Sequence, residues 1–359
     1  MCKRMLMMNR LIKPLHGYFL MIISTGFMVH VLILPNILTA AKRDSWVSVL
    51  LSIFPILMIS FLIYSISRSL KQQPLFLFLK DHYSIPVGKA LAYLLAILLL
   101  SEAFVTMKHT LFWAKANYAK DVPSMIIVVG GSVLCYYASS KGLKTIAILA
   151  PLFFIAVTLL GFFIGISNIP KKDYQLLFPI IEEGLEPTLK GMIYVCAGIF
   201  EIVLLLVFQG YSKQPFSFKG IVLLSFILIG LTLGPLMGAI AEFGAEEAAR
   251  IHNPAYEEWK LLSIGRYITR VDFLSVFQWL TGALIRVSLF VFLTNELFQF
   301  KKKKFSLLIL YSLLMIGSLL PWNQADFTHW LYTFYFPIIA GALSIYVIML
   351  LILIKVKRR

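Results

Sequence analysis

Long apolar runs separated by short polar segments are the main pattern along the chain. Each run approaches the length of about 20 residues that an α-helix needs to cross the hydrocarbon core of a bilayer. The runs lack the strict alternation of a membrane β-strand, and a helix satisfies its own backbone hydrogen bonds in lipid. The pattern therefore predicts an all-α membrane protein with ten spans, at about residues 16–39, 45–67, 87–112, 122–138, 143–167, 188–210, 219–241, 272–299, 305–321 and 331–355.

Composition supports this interpretation. Of the 359 residues, 60% are hydrophobic and only 14% are charged, where soluble domains carry about 25% charged residues. The mean hydropathy is +0.86. A soluble fold of this length has too little interior for so much apolar surface, so lipid must serve as part of the solvent. We expect one polytopic membrane domain over residues 1–359.

The distribution of lysine and arginine predicts the orientation. The net charge of +16 would suggest nucleic acid on a soluble protein. Here most of the basic residues lie in short segments between apolar runs, which is typical of cytoplasmic loops. We therefore expect no nucleic-acid partner. The assignment that agrees best with the basic segments places both termini in the cytoplasm, including the basic tail KVKRR.

Three of the charged residues within the predicted spans are candidates for a special role. Glu201 and Arg286 lie near the middle of the sixth and eighth spans, which run in the same direction, so an ion pair between them is possible. Glu102 lies in the third span. Burying a charge at a helix centre costs about 2.5–3.5 kcal/mol on insertion scales, so such residues are candidates for function. Two interpretations stay open: a ligand or proton site, and a bridge that only locks helices together.

Small residues occupy the centres of the first and sixth spans, as Ser24-Thr25-Gly26 and Cys196-Ala197-Gly198. They weaken a helix and leave backbone groups free for a ligand, or they simply allow close helix packing. Ten spans divide into two sets of five, at about 16–167 and 188–355, and each set begins with one of these weak centres. This predicts a 5+5 inverted repeat with discontinuous first and sixth helices, a pattern typical of transporters.

Motifs of soluble enzymes are missing from the sequence. It contains no GxxxxGK[ST], GxSxG or HExxH pattern, and its three cysteines are far apart. We expect no enzymatic activity, no cofactor and no metal site.

The stretch from Tyr256 to Phe298 carries a family resemblance. It contains Arg266-Tyr267-Ile268, then Asp272-Phe273, Trp279 and Arg286-Val287-Ser288-Leu289. The first span, with Gly26 and Leu34-Pro35, and the start of the second, Asp44 to Ser48, add to it. Over nearly its whole length the chain resembles the spore germination permease family, the B subunits of bacterial spore germination receptors, within the amino acid/polyamine/organocation superfamily.

This resemblance implies a receptor subunit of the spore inner membrane. It would bind a small nutrient germinant, an amino acid being the expected class, and would work with an A-type subunit and a lipoprotein C-type subunit. Two alternatives remain: a secondary transporter coupled to protons or cations, and a structural scaffold for its partners. By the superfamily pattern the germinant would contact Ser24, Thr25, Gly26, Glu102, Ala197, Gly198, Glu201, Trp279 and Ser288.

Overall fold

The computed structural model describes residues 11–83, 85–263, 267, 270–300 and 302–356. Arg266 and Ile268 of the family-like stretch lie outside the described residues, as do the basic residues before position 11 and after position 356. Within the described part of the chain the secondary structure is helical, apart from one isolated β-bridge between Ile12 and Ser212.

Seventeen α-helices follow one another along the described residues. In chain order they are α1 Pro14–Phe27, α2 Leu34–Ala41, α3 Ser45–Leu51, α4 Ile53–Ser69, α5 Leu75–His82, α6 Ile85–Asn117, α7 Ser124–Lys141, α8 Leu143–Ser167, α9 Leu185–Ile199, α10 Leu204–Phe208, α11 Phe218–Phe243, α12 Ala245–Ala248, α13 Pro254–Leu261, α14 Phe273–Phe298, α15 Lys303–Leu319, α16 Gln324–Trp330 and α17 Phe336–Val356.

Seven helical segments among the described residues are long and apolar enough to cross a membrane: Pro14–Ser69, Ile85–Asn117, Leu143–Lys171, Leu185–Phe208, Phe218–Phe243, Phe273–Phe298 and Gln324–Lys355. The first has 56 residues and covers the first two predicted spans. Helices α7 and α15 lie at the fourth and ninth predicted spans and are not among the seven. The chain is therefore a helical membrane protein, whereas ten crossings and the 5+5 repeat stay predictions.

Local sequence determines where several helices begin and end. Helix α7 ends at Lys141 and α8 begins at Leu143, and Gly142 between them has φ +88°. Residues with a side chain rarely adopt this conformation, so glycine permits the sharp reversal. The Ser217 hydroxyl caps α11 by accepting a hydrogen bond from the main-chain N–H of Gly220 at 3.1 Å.

The segment Leu185–Phe208, which contains α9 and α10, lies in the middle of the bundle. In its most apolar window 89% of the residues are buried within the protein, against 17% for Leu143–Lys171. Helix α9 packs against α2, α3 and α17, while α14 packs against α6, α1, α7, α8 and α15. Because α1, α6, α9 and α14 surround the centre, polar side chains on their inner faces must find protein partners.

Both helices with weak centres change their hydrogen-bonding pattern. Helix α1 continues as a π-helix over Met28–Leu32 before α2 begins, and α9 continues as a 3₁₀-helix over Phe200–Val203 before α10 begins. Each change starts two residues after the predicted interruption. The expectation that main-chain groups at 24–26 and 196–198 are free of helical hydrogen bonds is therefore corrected. These residues lie within regular α-helix, and the chain continues as a π-helix or a 3₁₀-helix after them.

Proline explains the break after α1. Pro35 lies in the first turn of α2 and lacks the N–H that would continue the hydrogen bonds of the preceding helix. The π-helical turn, with wider hydrogen-bonded rings, takes up the irregularity, and such turns are frequent at functional sites.

Candidate functional site

The Arg286 side chain lies at the centre of the bundle and is completely buried. Its five N–H donors are all used. Nε donates to Thr106 Oγ1 at 2.9 Å, and Nη1 donates to the main-chain oxygen of Ser24 at 3.0 Å. The remaining donors meet two carboxylates. A buried charge is tolerated only when it is paired and hydrogen-bonded in this way.

Glu201 faces the guanidinium with both carboxylate oxygens. Nη1 of Arg286 is 2.7 Å from Oε2, and Nη2 is 2.5 Å from Oε1, which is the bidentate geometry that makes arginine–carboxylate pairs strong. The hydroxyl of Thr25 donates to the same Oε2 at 2.9 Å. The two residues that the sequence paired are therefore in direct contact, and the first helix of the chain contacts the pair as well.

Glu102 is the third charged member, a contact that the sequence did not indicate. Its Oε2 accepts a hydrogen bond from Arg286 Nη2 at 2.6 Å. Its Oε1 is buried and, within the described residues, has no hydrogen-bond partner of ordinary geometry, although the Tyr335 side chain lies close by. The Tyr335 hydroxyl is 3.1 Å from Ser101 Oγ. With both carboxyls ionised, these three residues carry a net charge of −1. We call Glu102, Glu201 and Arg286 the central charge cluster.

Three separate helical segments build this cluster. Glu102 and Thr106 are four residues apart on α6 and share one face, since residues at this spacing lie one helical turn apart. Glu201 lies in the 3₁₀ segment that follows α9. Arg286 on α14 is held from another side by Phe290, whose ring centroid is 4.5 Å from the guanidinium carbon. The cluster therefore couples the positions of helices that are distant in sequence.

The small residues of the weak centres are mostly packing positions. A Cβ added to Gly198 would lie 2.9 Å from side-chain atoms of Val29 and Ile33, and one added to Gly26 would lie 3.3 Å from Leu231. Ala197 is fully buried. Glycine and alanine thus let α9 approach the π-helical turn closely.

Ser24 and Thr25 are the members of the weak centres that contact the charge cluster. The Ser24 main-chain oxygen accepts from Arg286, while its hydroxyl is buried and has no hydrogen-bond partner. At the edge of the cluster, Ser24 of α1 therefore has a main-chain oxygen that already accepts a hydrogen bond and a hydroxyl that makes none with the described residues.

Trp279 and Ser288 lie away from the cluster. The Trp279 ring stacks on Trp113 with centroids 4.3 Å apart, and its Nε1 donates to Thr110 Oγ1 at 3.3 Å. The Ser288 hydroxyl instead donates to the main-chain oxygen of Cys135 on α7 at 3.3 Å. The structure thus brings Ser24, Thr25, Glu102, Glu201 and Arg286 together and places these two elsewhere.

Two small cavities lie within the described part of the protein. One is at the cluster and is lined by Glu102 and Glu201 together with apolar side chains such as Leu95 and Phe290. The other, which we call the polar cavity, is lined by polar residues such as His109 and by an equal number of apolar ones. Each has a volume of about 10 Å³, which is room for about one water molecule. Neither cavity has room for an amino acid.

An aromatic layer lies beside the polar cavity. Trp113, which lines that cavity, stacks on Trp279, and Trp279 contacts Phe27 edge to face at 5.7 Å between centroids. His109 also stacks on Trp279, at 5.7 Å between centroids, and among the described residues its buried Nδ1 has no hydrogen-bond partner. The aromatic layer therefore connects α1, α6 and α14 beside this cavity.

Comparisons with known proteins agree with the membrane fold. The model of a spore permease family, which is described as "Spore germination protein", matches residues 14–327. Spore germination protein XB of Bacillus anthracis is 36% identical over 339 residues, which cover 93% of this chain and 95% of that protein. YfkT of Bacillus subtilis (strain 168), also named for spore germination, is 22% identical over 256 residues, or 69% of this chain and 68% of that protein. This chain belongs to the spore germination permease family.

Proposed function

We propose that this protein is the nutrient-binding membrane subunit of a spore germinant receptor. In this proposal it crosses the spore inner membrane ten times as a 5+5 inverted repeat, with both termini in the cytoplasm. It recognises its ligand by binding and conformational change, without catalysis. The observation that carries the proposal is the central charge cluster, because three ionisable side chains from three separate helical segments meet at mid-bundle, where charge is costly. The membership in the family supports the germination role.

The cluster favours a ligand that carries an ammonium group. When both carboxyls are ionised, Glu102 and Glu201 outnumber Arg286 by one charge, and among the described residues Glu102 Oε1 has no hydrogen-bond partner of ordinary geometry. An ammonium would neutralise the excess charge and donate to that oxygen. The unused Ser24 hydroxyl is a donor for a carboxylate at the other end of the molecule. These two groups match an amino acid zwitterion.

Binding would act on the receptor through the helices that the cluster joins. A ligand that competes for Glu102 loosens its bond to Arg286 and alters how α6 is held against α14. The ligand can change the ratio of the free and ligand-bound arrangements of these helices only by its difference in affinity for the two. In this proposal an A-type and a lipoprotein C-type subunit sense the rearrangement and start germination.

Two substitutions test the site in spores. Glu201→Gln removes a charge of the cluster with little change in shape, and Gly26→Trp places a large ring where an added Cβ would already lie 3.3 Å from Leu231. We expect each to raise the amino acid concentration for half-maximal germination at least tenfold. Gly130→Trp is the matched control, since a side chain there meets nothing within 4 Å. A wild-type response from both variants at normal protein level would refute the proposed site.

A secondary transporter is the second candidate, and the carboxyl groups of the cluster favour it. Two carboxyls face one arginine in the cluster, and a buried carboxyl in excess over arginine is a natural proton carrier. Uptake of labelled amino acid into proteoliposomes separates the two functions: a receptor binds with little net flux, whereas a transporter accumulates label when a proton gradient is applied. Absence of any binding by the purified subunit would instead favour a structural scaffold.

A further inference from the structure

A second buried cluster of charges lies at the end of the bundle that is predicted to face outward. The Lys172 ammonium is 3.4 Å from Glu242 Oε1 and 3.6 Å from Glu258 Oε2, and all three side chains are less than 8% exposed. Lys172 follows α8, Glu242 is near the end of α11, and Glu258 is on α13. The cluster therefore holds the short helix α13 against two long helices.

This outer cluster has one carboxylate more than its ammonium neutralises. Within the described part of the chain, neither oxygen of Glu242 has a hydrogen-bond partner of ordinary geometry, although Lys172 and Asn168 lie beside it, and Oε1 of Glu258 has none either. Asn168 contributes a further buried oxygen without a partner, Oδ1, while its Nδ2 donates to the main-chain oxygen of Glu258 at 2.8 Å. Gly238 makes room for the Glu258 carboxylate, because a Cβ there would lie 2.9 Å from its Oε2. Unpartnered buried oxygens of this kind are costly unless something donates to them.

Other charged groups near α13 are already engaged. Lys171 donates to the main-chain oxygen of Leu261, and Lys260 is paired with Glu257 at 2.8 Å on the exposed side of α13. The neighbouring Asp173 accepts from the main-chain N–H of Gln175 at 2.9 Å, and the ring of His30, in the π-helical turn, contacts the Leu231 carbonyl oxygen at 3.2 Å. Lys171 attracts Glu242 from the exposed side, so among the described residues Lys172 is the buried cation in direct contact with the two carboxylates.

We propose that the outer cluster is a proton-binding site in which Glu242 and Glu258 share one proton beside Lys172, and that this proton keeps α13 closed over the bundle. The proton, carried by either carboxyl, supplies a donor at the cluster and makes the cluster neutral. Two carboxylates in one buried site do not both ionise readily. Burial, with the nearby charge of Glu242, raises the pKa of Glu258 from 4.5 to about 8.

Helix α13 is placed to control access to the polar cavity. Asn253, immediately before α13, lines that cavity with His109. Tyr256 on α13 contacts Trp113 edge to face at 5.6 Å, and Trp113 stacks on Trp279. Movement of α13 therefore exposes the aromatic layer. Loss of the shared proton would open a route toward the central charge cluster.

The sign of the pH dependence follows from the raised pKa. The closed form binds the proton more tightly than an open form in which Glu258 is solvated, so closure is strongest at or below the ordinary carboxyl pKa of 4.5. It weakens as the pH rises to about 8 and does not change further above that value. For one proton the closed-to-open ratio changes about tenfold per pH unit within this window.

Labelling of cysteine tests the opening directly. In proteoliposomes, Asn253→Cys reports access to the cavity through its rate of reaction with a membrane-impermeant maleimide. Glu186→Cys, on an exposed residue at the start of α9, corrects for the pH dependence of the thiol. We expect the ratio of the two rates to rise from pH 5 to 8, by up to tenfold per unit, and then to level off. A ratio that does not depend on pH would overturn the proposal.

Two variants identify the groups that titrate. Glu258→Gln and Glu242→Gln each leave one carboxylate for Lys172, so the rate ratio should become independent of pH in both. Infrared difference spectra of the full chain should show a protonated carboxyl that titrates within the same window and is lost in each variant. A rise that persists in both variants would refute the assignment. If the rate ratio changes with Na⁺ or Ca²⁺ at constant pH, the site binds a metal cation and the proposal of a bound proton is wrong.

Discussion

Replacing Arg286 by methionine is the sharpest test of the central charge cluster. The substitution keeps most of the volume of the side chain but removes a fully buried cation and its five N–H donors. Glu102 and Glu201 are then left together without a positive charge. Removing one partner of a buried ion pair costs about 3–5 kcal/mol, because the remaining charge is uncompensated.

This cost corresponds to a decrease in the folding equilibrium constant of about two to four orders of magnitude, at about 1.4 kcal/mol per factor of ten. The assay is reversible unfolding of the purified protein in mixed micelles, where the fraction folded is followed by circular dichroism as denaturing detergent increases. Arg68→Met is the control. Arg68 is exposed, and its contact is a 3.5 Å hydrogen bond to the Tyr64 hydroxyl, so we expect a change within about 0.5 kcal/mol.

Neutralising the carboxylates should restore stability. When Arg286→Met is combined with Glu102→Gln and Glu201→Gln, the buried charges are gone, and we expect the triple variant to be more stable than Arg286→Met alone. Equal destabilisation by Arg286→Met and Arg68→Met would refute the reasoning, because the cluster would then contribute nothing to the folded state. A triple variant less stable than Arg286→Met would show that shape, and not charge, determines the loss.

The same unfolding assay tests two packing features. Gly198→Ala should destabilise the protein by about 1–3 kcal/mol, since the new methyl would lie 2.9 Å from Val29. Gly230→Ala is the control and should be neutral or slightly stabilising, because no described atom lies within 4 Å of the new methyl. Equal effects of the two substitutions on the free energy of unfolding would contradict this account. Lys108→Met should cost about 1–3 kcal/mol, because the buried ammonium donates at 2.7 and 2.8 Å to two carbonyl oxygens at the end of α15; a loss below about 0.5 kcal/mol would show that water replaces it.

The sequence predicted helices well where apolar runs have clear ends. The span at 219–241 became Phe218–Phe243, and the one at 143–167 became Leu143–Ser167. Polar caps and glycine mark these ends, so local chemistry suffices. The interruptions of the first and sixth helices were predicted two residues early, because Pro35 and the packing of the 3₁₀ segment determine them, and neither effect is evident from small residues alone.

Charges within spans indicated the central charge cluster, but its contacts depend on tertiary structure. Glu102, Glu201 and Arg286 were identified because charge is rare in lipid. That Glu102 shares Arg286 depends on how α6 and α14 cross. Ser288 is two residues from Arg286, about 200° around the helix, so it faces α7. The Glu242–Glu258 pair was not predicted, since acidic residues near loops are ordinarily solvated.

The saturation of Arg286 has a consequence for the concentration at which a nutrient is sensed. All its donors are engaged within the protein, and one of them holds Glu102. The ammonium of a ligand must therefore compete with a guanidinium that is already in place and cannot be diluted. If about 1% of molecules at rest have a free site, the observed dissociation constant is about 100-fold weaker than the intrinsic one. Under the proposed function, trace nutrient would leave the spore dormant, and the internal guanidinium would set the nutrient concentration at which germination begins.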